Sequence, residues 1–270
     1  MDRIAQALKR AREDNTLNMD NNTLVDRTSQ ISSVTPPPIP IRSLTVADTI
    51  LRKNKILCGY DNDPIVDAYR LLRTRVLRQM SANNRRSIGI TSTSAQEGKS
   101  VTAINLGIAI AMESEHKAIV VDTDLRHPTT HKYFGLQLKS GINDYLSGTT
   151  PFEELLVSPG IEGFAILPCI EPIPGAPELL KSAKMHELVS NLKKSFPEHT
   201  IIYDLPPALI GDDAVAFSSL VDAMILVIED GATDKQRLKE TKDLLSDANL
   251  IGTVLNKVSS TKSNSKNYYY

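Results

Sequence analysis

The stretch SIGITSTSAQEGKSVTAINLGIAIAM, residues 87–112, decides the fold of this chain. Its first residues, SIGIT, form a short β-branched run typical of a buried strand, and the apolar pattern over 100–115 predicts a helix. Between them, Gly98-Lys99-Ser100 opens the helix. Backbone N–H groups at such a junction bind phosphates, the lysine reaches the β- and γ-phosphates, and the serine hydroxyl binds Mg²⁺. We therefore predict a phosphate loop.

The loop departs from the strict phosphate-loop pattern at one position. The pattern has a glycine five residues before Gly98, where this chain has Thr93. A loop of another kind is the alternative, but the preceding strand and following helix fit a phosphate loop. We expect the nucleotide to contact the residues of this loop: Thr93, Ser94, Ala95, Gln96, Glu97, Gly98, Lys99, Ser100 and Val101.

Aspartates end two further predicted strands. AIVVD (118–122) leads to Asp122 and Asp124, and TIIYD (200–204) ends at Asp204. Each aspartate alone is also compatible with a helix cap or a loop acid. In an open α/β sheet, however, ligands bind at the carboxyl ends of the strands. Three carboxylates beside a phosphate loop predict a site for a divalent cation with oxygen ligands.

The remaining sequence alternates strands with helices. Further apolar runs are FAILP (164–168), AMILVIE (223–229) and IGTVLN (251–256), and helical patterns cover 177–196 and 234–249. This alternation predicts right-handed crossovers. The expected fold class is therefore α/β and P-loop NTPase-like, with a mostly parallel central sheet flanked by helices on both faces.

Composition predicts three regions and excludes some functions. Residues 1–45, with an amphipathic pattern over 1–13 and the proline run TPPPIP, are expected to be a flexible segment; 46–258 the P-loop domain; and 259–270 a flexible tail. The net charge of −1 argues against a whole-surface nucleic-acid binder. No apolar run approaches the roughly 20 residues of a membrane span, so we expect a cytoplasmic protein. Cys58 and Cys169 are expected to be reduced core thiols.

Three motifs resemble those of a known family. SAQEGKS, VVDTDLRHP and IIYDLPP, in that order, resemble the Walker A, A′ and Walker B motifs of the bacterial protein-tyrosine kinases (BY-kinases). The resemblance covers roughly residues 46–270. The start MDRIAQALKRA and its proline-rich linker are similar to the free-standing kinases of exosortase-type exopolysaccharide loci.

The resemblance implies an activity and partners. It implies an ATP-dependent autokinase that phosphorylates its own tyrosine cluster, Tyr268, Tyr269 and Tyr270, and regulates exopolysaccharide chain length or export. The implied partners are a membrane chain-length-determinant protein as activator, a cognate tyrosine phosphatase and further copies of the chain. The location implied is peripheral to the inner membrane through a partner.

The resemblance also implies residue roles. The 93–100 loop and Lys99 would hold the triphosphate of ATP, and Mg²⁺ would be held by Ser100, Asp122 and Asp204. Asp122 is the first candidate for the base that accepts the tyrosine proton, with Asp124 supporting the metal. Arg126 would contact phosphate or stabilise its loop. Asn256 lies where related ATPases contact adenine.

An acid–x–x–Arg–x–x–Arg helix serves ring assembly in the family. Asp67, Arg70 and Arg73 occupy these positions here, with aspartate for the usual glutamate. Two other departures are Ala95-Gln96 in place of Pro-Gly, and Leu205 after Asp204 in place of Ser or Thr. The first is expected to tighten or shift the loop, and the second to remove a hydroxyl near the metal.

Two other functions fit parts of the sequence. One is a P-loop ATPase switch of the chromosome-partition and septum-positioning type, which carries a signature lysine where this chain has Ser94. The other is a catalytically weak adaptor of a polysaccharide export complex, compatible with the altered loop and with Leu205. Activity of the isolated protein separates the two.

Overall fold

A computed structural model describes residues 39–57 and 63–259. The helix predicted over 1–13, Cys58 and the tyrosines of the tail lie outside the described residues. The predicted division into three regions therefore stays a prediction. Residues 39–45, which the sequence placed in the N-terminal segment, contribute the strand Arg42–Ser43 to the sheet.

One sheet contains the eight strands of the described residues, in the order β1-β4-β5-β3-β6-β2-β7-β8. Their pairs are parallel except β4 with β5, which is antiparallel. The strands are β1 (Arg42–Ser43), β2 (Ser87–Ser92), β3 (Lys117–Asp122), β4 (Val157–Ser158), β5 (Phe164–Leu167), β6 (His199–Asp204), β7 (Ala223–Glu229) and β8 (Leu250–Asn256). The predicted mostly parallel sheet is confirmed, and β1 and β4 are short edge additions that the apolar pattern did not show.

Helices connect the strands. They are α1 (Asp48–Lys53), α2 (Pro64–Ser81), α3 (Lys99–Ala111), α4 (Thr130–Tyr133), α5 (Ile142–Ser147), a 3₁₀ turn (Phe152–Glu154), α6 (Ala176–Leu180), α7 (Ala183–Ser195), α8 (Asp213–Ser218) and α9 (Lys235–Leu244).

Helices cover both faces of the sheet, as predicted. On β3, Ile119 and Val121 pack into one cluster with α5 to α8, whereas Ala118 and Val120 pack into the other with α1 to α3. Side chains alternate between the two faces of a strand, so a strand buried on both faces is apolar throughout. This burial explains why β3 reads as a continuous apolar run.

The single helix predicted over 177–196 is wrong. The chain forms α6 and α7 there, separated at Lys181 and Ser182. Ser182 has an extended backbone, and its hydroxyl accepts a hydrogen bond from the N–H of Met185. A serine that caps a new helix in this way ends the helix before it.

Candidate active site

Neighbouring strands bring the predicted motifs to one edge of the sheet. Asp122 and Asp204 are paired in register where β3 and β6 end, and β6 also pairs with β2, which enters the phosphate loop. Both aspartates are fully buried. The parallel strands therefore place the loop and both carboxylates at a common carboxyl edge, where open α/β sheets bind ligands.

Hydrogen bonds within the phosphate loop and from the segments after β7 and at the end of β8 fix its shape. The Glu97 carboxylate accepts hydrogen bonds from the backbone N–H of Ser94, at 3.0 Å, and from the hydroxyl of Thr233, at 2.6 Å. Asn256, at the end of β8, donates its side-chain amide to the carbonyl of Glu97 at 2.9 Å. These contacts fix the loop before any phosphate arrives.

Two loop residues have left-handed backbones. Gln96 has φ 67°, and Gly98 has φ 95°. A Cβ atom on Gly98 would lie 2.0 Å from Nδ2 of Asn256, so glycine is required there. Glycine adopts such a φ more readily than glutamine does. The departure from Pro-Gly to Ala95-Gln96 therefore places a residue with a Cβ atom in a left-handed conformation. Lys257, which the sequence did not single out, donates to the Gln96 carbonyl at 2.7 Å and pairs with Glu229 at 2.8 Å.

Lys99 lies between two carboxylates. Its ammonium is 2.9 Å from Oδ2 of Asp124 and 3.1 Å from Oδ1 of Asp204, and all three side chains are buried. Burial by itself lowers the pKa of Lys99, but the charges of Asp204 and Asp124 outweigh burial and place the pKa above its ordinary value. Lys99 is therefore a permanent cation at the point where strand ends and loop meet.

Asp122 is held by the segment that follows its own strand. Its Oδ2 accepts hydrogen bonds from the backbone N–H groups of Thr129 and Thr130, both at 2.9 Å. The pKa of Asp122 is raised to about 7, first by burial and then by the charge of Asp204. Burial also raises the pKa of Asp204, against the effect of Lys99. Neither threonine could be singled out from the sequence, because their backbone N–H groups, which every residue except proline carries, make these contacts.

The residues present fit a bound magnesium ion. Oδ1 of Asp122 and Oδ2 of Asp204 are buried without a hydrogen-bond partner in the described part of the chain. Buried carboxylate oxygens are normally paired, and hard oxygen ligands are those that Mg²⁺ prefers. Within 39–57 and 63–259, no group of three His, Cys, Asp or Glu side chains could hold a metal alone. Asp124 pairs with Lys99 at 2.9 Å and is therefore not counted as a direct ligand. Ser100, phosphate oxygens and water would complete the set that Asp122 and Asp204 begin.

Arg126, in the loop after β3, pairs with an aspartate of α8. Its Nε donates to Oδ2 of Asp213 at 2.7 Å, and that aspartate is buried at the start of α8. This contact is compatible with the predicted loop-stabilising role, and both predicted roles of Arg126 stay predictions. Cys169 is a buried free thiol whose pKa burial raises to about 12, as expected for an inert core cysteine.

The predicted assembly residues lie together on α2. Arg70 pairs with Asp67 at 3.3 Å on the exposed face. Arg73 instead contacts α3 and the turn after it, through Glu113 at 3.0 Å and the Ala109 carbonyl at 3.1 Å. At least part of the role of Arg73 is therefore inside the subunit, and ring formation stays a prediction.

No helix in the described ranges is long and apolar enough to cross a membrane.

Comparison with known proteins agrees with this geometry. Residues 88–269 match the domain family described as the CobQ/CobB/MinD/ParA nucleotide binding domain. The chain is 31% identical over 206 residues to the tyrosine-protein kinase YwqD of Bacillus subtilis, covering 75% of this chain and 85% of that protein. It is 28% identical over 208 residues to the putative tyrosine-protein kinase CapB of Staphylococcus aureus, covering 76% of this chain and 90% of CapB.

Solved structures share the fold. The chimerical protein CapA2B2 superposes with a TM-score of 0.70 at 27% identity, covering 82% of this chain and 95% of that one. The kinase domain of the Escherichia coli tyrosine kinase ETK gives a TM-score of 0.69 at 24% identity, covering 86% and 95%. The MinC:MinD complex of Aquifex aeolicus gives 0.54 at 20% identity, covering 64% and 69%, and shows likeness of fold alone. The kinase relatives, at higher identity and coverage, disfavour the partition-type alternative. The chain belongs to the bacterial tyrosine-protein kinase family, within the CobQ/CobB/MinD/ParA nucleotide-binding domains.

Proposed function

We propose that the protein transfers the γ-phosphate of ATP to the phenol oxygens of Tyr268, Tyr269 and Tyr270, and so regulates exopolysaccharide chain length or export. The observation that carries this proposal is the buried arrangement of Lys99 with Asp122, Asp124 and Asp204 beside the phosphate loop. Family membership supplies the reaction class, and the sequence supplies an acceptor.

Phosphoryl transfer mainly requires positioning and neutralisation of charge. The N–H groups at the start of α3 and the Lys99 ammonium would bind the β- and γ-phosphates. Ser100, Asp122 and Asp204 would hold magnesium, which when bound neutralises and orients the phosphate oxygens. Lys99 has to exchange at least part of its carboxylate pairing for phosphate oxygens, so nucleotide binding rearranges this cluster.

The acceptor phenol must lose a proton, and its ordinary pKa is near 10. We infer that Asp122 accepts this proton, with its carboxylate held through Oδ2 by the N–H groups of Thr129 and Thr130. The buried backbone hydrogen bonds keep the carboxylate in one orientation during the transfer.

The partners are also part of the proposal. Further copies of the chain would meet through Asp67, Arg70 and Arg73, a membrane chain-length-determinant protein would activate the kinase, and a tyrosine phosphatase would reverse it. Each phosphotyrosine adds about −1.5 to −2 charges, in a tail segment that otherwise carries Lys262 and Lys266. Such a tail should be repelled by the aspartate-rich site, so we expect phosphorylation to dissociate the oligomer.

Incubation of the purified protein with ATP and Mg²⁺ tests the activity. The comparison proteins are Lys99→Met and a variant with Tyr268, Tyr269 and Tyr270 all changed to phenylalanine. We expect phosphate on the three tyrosines, mapped by mass spectrometry, and none in the Lys99→Met protein. Steady ATP hydrolysis without phosphotyrosine would contradict the proposal in favour of an ATPase switch. Absence of both activities, even with a candidate membrane activator added, would favour the adaptor.

Sedimentation velocity tests the assembly. We expect Arg70→Ala to shift the unphosphorylated protein to a smaller species, while Arg78→Ala on the same helix leaves the distribution unchanged. The distribution of the unchanged chain should also shift to smaller species after full phosphorylation. An identical distribution before and after phosphorylation would contradict the proposed switch.

A further inference from the structure

A pocket of about 420 Å³ lies next to the catalytic edge, and of the residues predicted above to contact the nucleotide it includes Arg126. Arg126 and His127 line one side, and the segment 172–177, PIPGAP, lines the other. The two sides are joined by the N–H of Ile173, which donates to the Leu125 carbonyl at 2.9 Å. A pocket of this volume falls in the range of small ligand sites.

The pocket lies on the side from which an acceptor has to approach. Asn256 and Lys257 contact the phosphate loop from the β8 side of the sheet. Lys99, which would meet the terminal phosphates, reaches in the other direction, toward Asp204 and Asp124. An attacking oxygen approaches in line, opposite the leaving group. The acceptor therefore enters from the side of β3 and β5, and the walls of the pocket are the loops that follow these two strands.

The chemistry of the pocket fits a tyrosine-rich, basic segment. Its wall of prolines and Ile173 is a rigid apolar surface suited to an aromatic ring. Glu178 is exposed. It lies at the rim of the pocket, where a Cβ atom on the pocket residue Gly175 would be 3.6 Å from Oε2 of Glu178. On the other wall, the side chain of Arg126 is oriented by Asp213, which its Nε contacts at 2.7 Å.

The tail places two tyrosines and a lysine at every second position: Lys266, Tyr268 and Tyr270. In an extended segment, residues two apart point to the same side about 7 Å apart. A tyrosine in the active site therefore places the tyrosine two positions away on the same side. Lys266 precedes Tyr268 by two residues and is the nearest charge to the tyrosines in the sequence.

We propose that the pocket of Arg126, His127 and residues 172–177 is the subsite for the acceptor segment 262–270. The apolar wall takes the ring of a tyrosine two positions from the reacting one, and Glu178 pairs with Lys266. When Tyr268 or Tyr270 reacts, the other of these two tyrosines lies on the same side of the extended segment and its ring fills the pocket. This inference rests on the proposed autokinase function and adds the residues that select its acceptor.

The test measures binding separately from transfer. The enzyme is the full chain with Tyr268, Tyr269, Tyr270, Lys262 and Lys266 all changed to alanine, so that its own tail carries neither ring nor charge and competes weakly with the peptide in every variant. The probe is a fluorescent peptide of residues 262–270, followed by anisotropy for its dissociation constant and by phosphate incorporation for KM and kcat. We expect Glu178→Lys to weaken binding and raise KM about 10-fold, with kcat little changed, as expected for loss of one charged contact.

Matched variants make the test specific. A peptide with Lys266→Glu should bind weakly to the parent enzyme and regain affinity with Glu178→Lys. Glu198 directly precedes β6, so it lies at the amino ends of the parallel strands, away from the pocket. Glu198→Lys should therefore leave all values unchanged. A peptide that keeps Tyr268 but has phenylalanine at 269 and 270 should bind like the native one, whereas alanine at both positions should weaken binding about 10-fold.

The outcomes distinguish the two proposals. Equal affinity of the parent enzyme and Glu178→Lys for the native peptide would overturn the subsite, whether or not the peptide is phosphorylated. Charge-dependent binding without any transfer of phosphate to tyrosine would leave the subsite standing and overturn the autokinase function instead.

Discussion

The ammonium of Lys99 lies 3.1 Å from Oδ1 of Asp204, and both side chains are buried. The lysine of the phosphate loop is therefore the counter-ion of buried aspartates as well as the expected ligand of ATP. Removal of one member of a buried ion pair leaves the other uncompensated, at a cost that exceeds the value of the pair itself.

The first prediction concerns this counter-ion. Lys99→Met should destabilise the metal-free protein by about 3 kcal/mol at about pH 7.5, because buried carboxylates lose their cation. The loss should shrink at about pH 5.5, where these carboxylates take up protons more readily. Urea denaturation at both pH values measures it. Lys117→Met, which breaks an exposed pair with Glu198, should cost less than about 1 kcal/mol. Equal losses in the two variants would contradict the prediction.

Asp122→Asn should separate folding from catalysis. The asparagine oxygen can still accept from the N–H groups of Thr129 and Thr130, so stability should stay within about 1 kcal/mol of the unchanged chain. Loss of the negative charge should lower phosphate transfer by at least about 100-fold, because metal binding and proton acceptance both need it. Thermal melting and phosphotyrosine formation are the two measurements. Undiminished tyrosine phosphorylation would rule out the assignment of Asp122 as the base.

Gln96→Gly should stabilise the phosphate loop. Gln96 has φ 67°, a conformation that costs a residue with a Cβ atom about 1 kcal/mol. The gain is partly offset by the greater freedom of glycine in the unfolded chain, so we expect a net increase below about 1 kcal/mol. The matched change Gln79→Gly, on the exposed face of α2, should destabilise by about 1 kcal/mol. Denaturant titration compares the two; destabilisation of equal size in both would show that the backbone of Gln96 is not strained.

His199 should make the fold sensitive to acid. Burial first and the charge of Lys117 second lower its pKa to about 4, from 6.5 in an unfolded chain. The unfolded state therefore binds the proton more tightly, and stability present above pH 6.5 is lost as the pH falls toward 4. His199→Phe keeps a ring against Phe196, whose ring centroid lies 5.1 Å away, and should flatten this decline. His186→Phe, exposed on α7, is the control. Parallel urea midpoints against pH in the three proteins would contradict the prediction.

The amino-acid sequence by itself predicted the parallel sheet, its crossover helices and the meeting of GKS with three aspartates. These features depend on short-range patterns: apolar runs that mark buried strands, and the rule that parallel strands end at one edge. The family resemblance, which the comparisons confirm, then supplied the reaction. The same short-range signals failed at 177–196, because helical periodicity there continues through Ser182, which caps α7.

Only the tertiary structure decided how the site is charged and held. The pairing of Lys99 with Asp124 and Asp204, the two N–H groups on Asp122, and the hold of Asn256 on Glu97 join residues far apart in the chain. No local pattern encodes such contacts, because they arise when separate strands pair in register. The pocket between the loops after β3 and β5 is of the same kind: the sequence shows a basic tyrosine segment, and the folded sheet supplies the surface that we propose it binds.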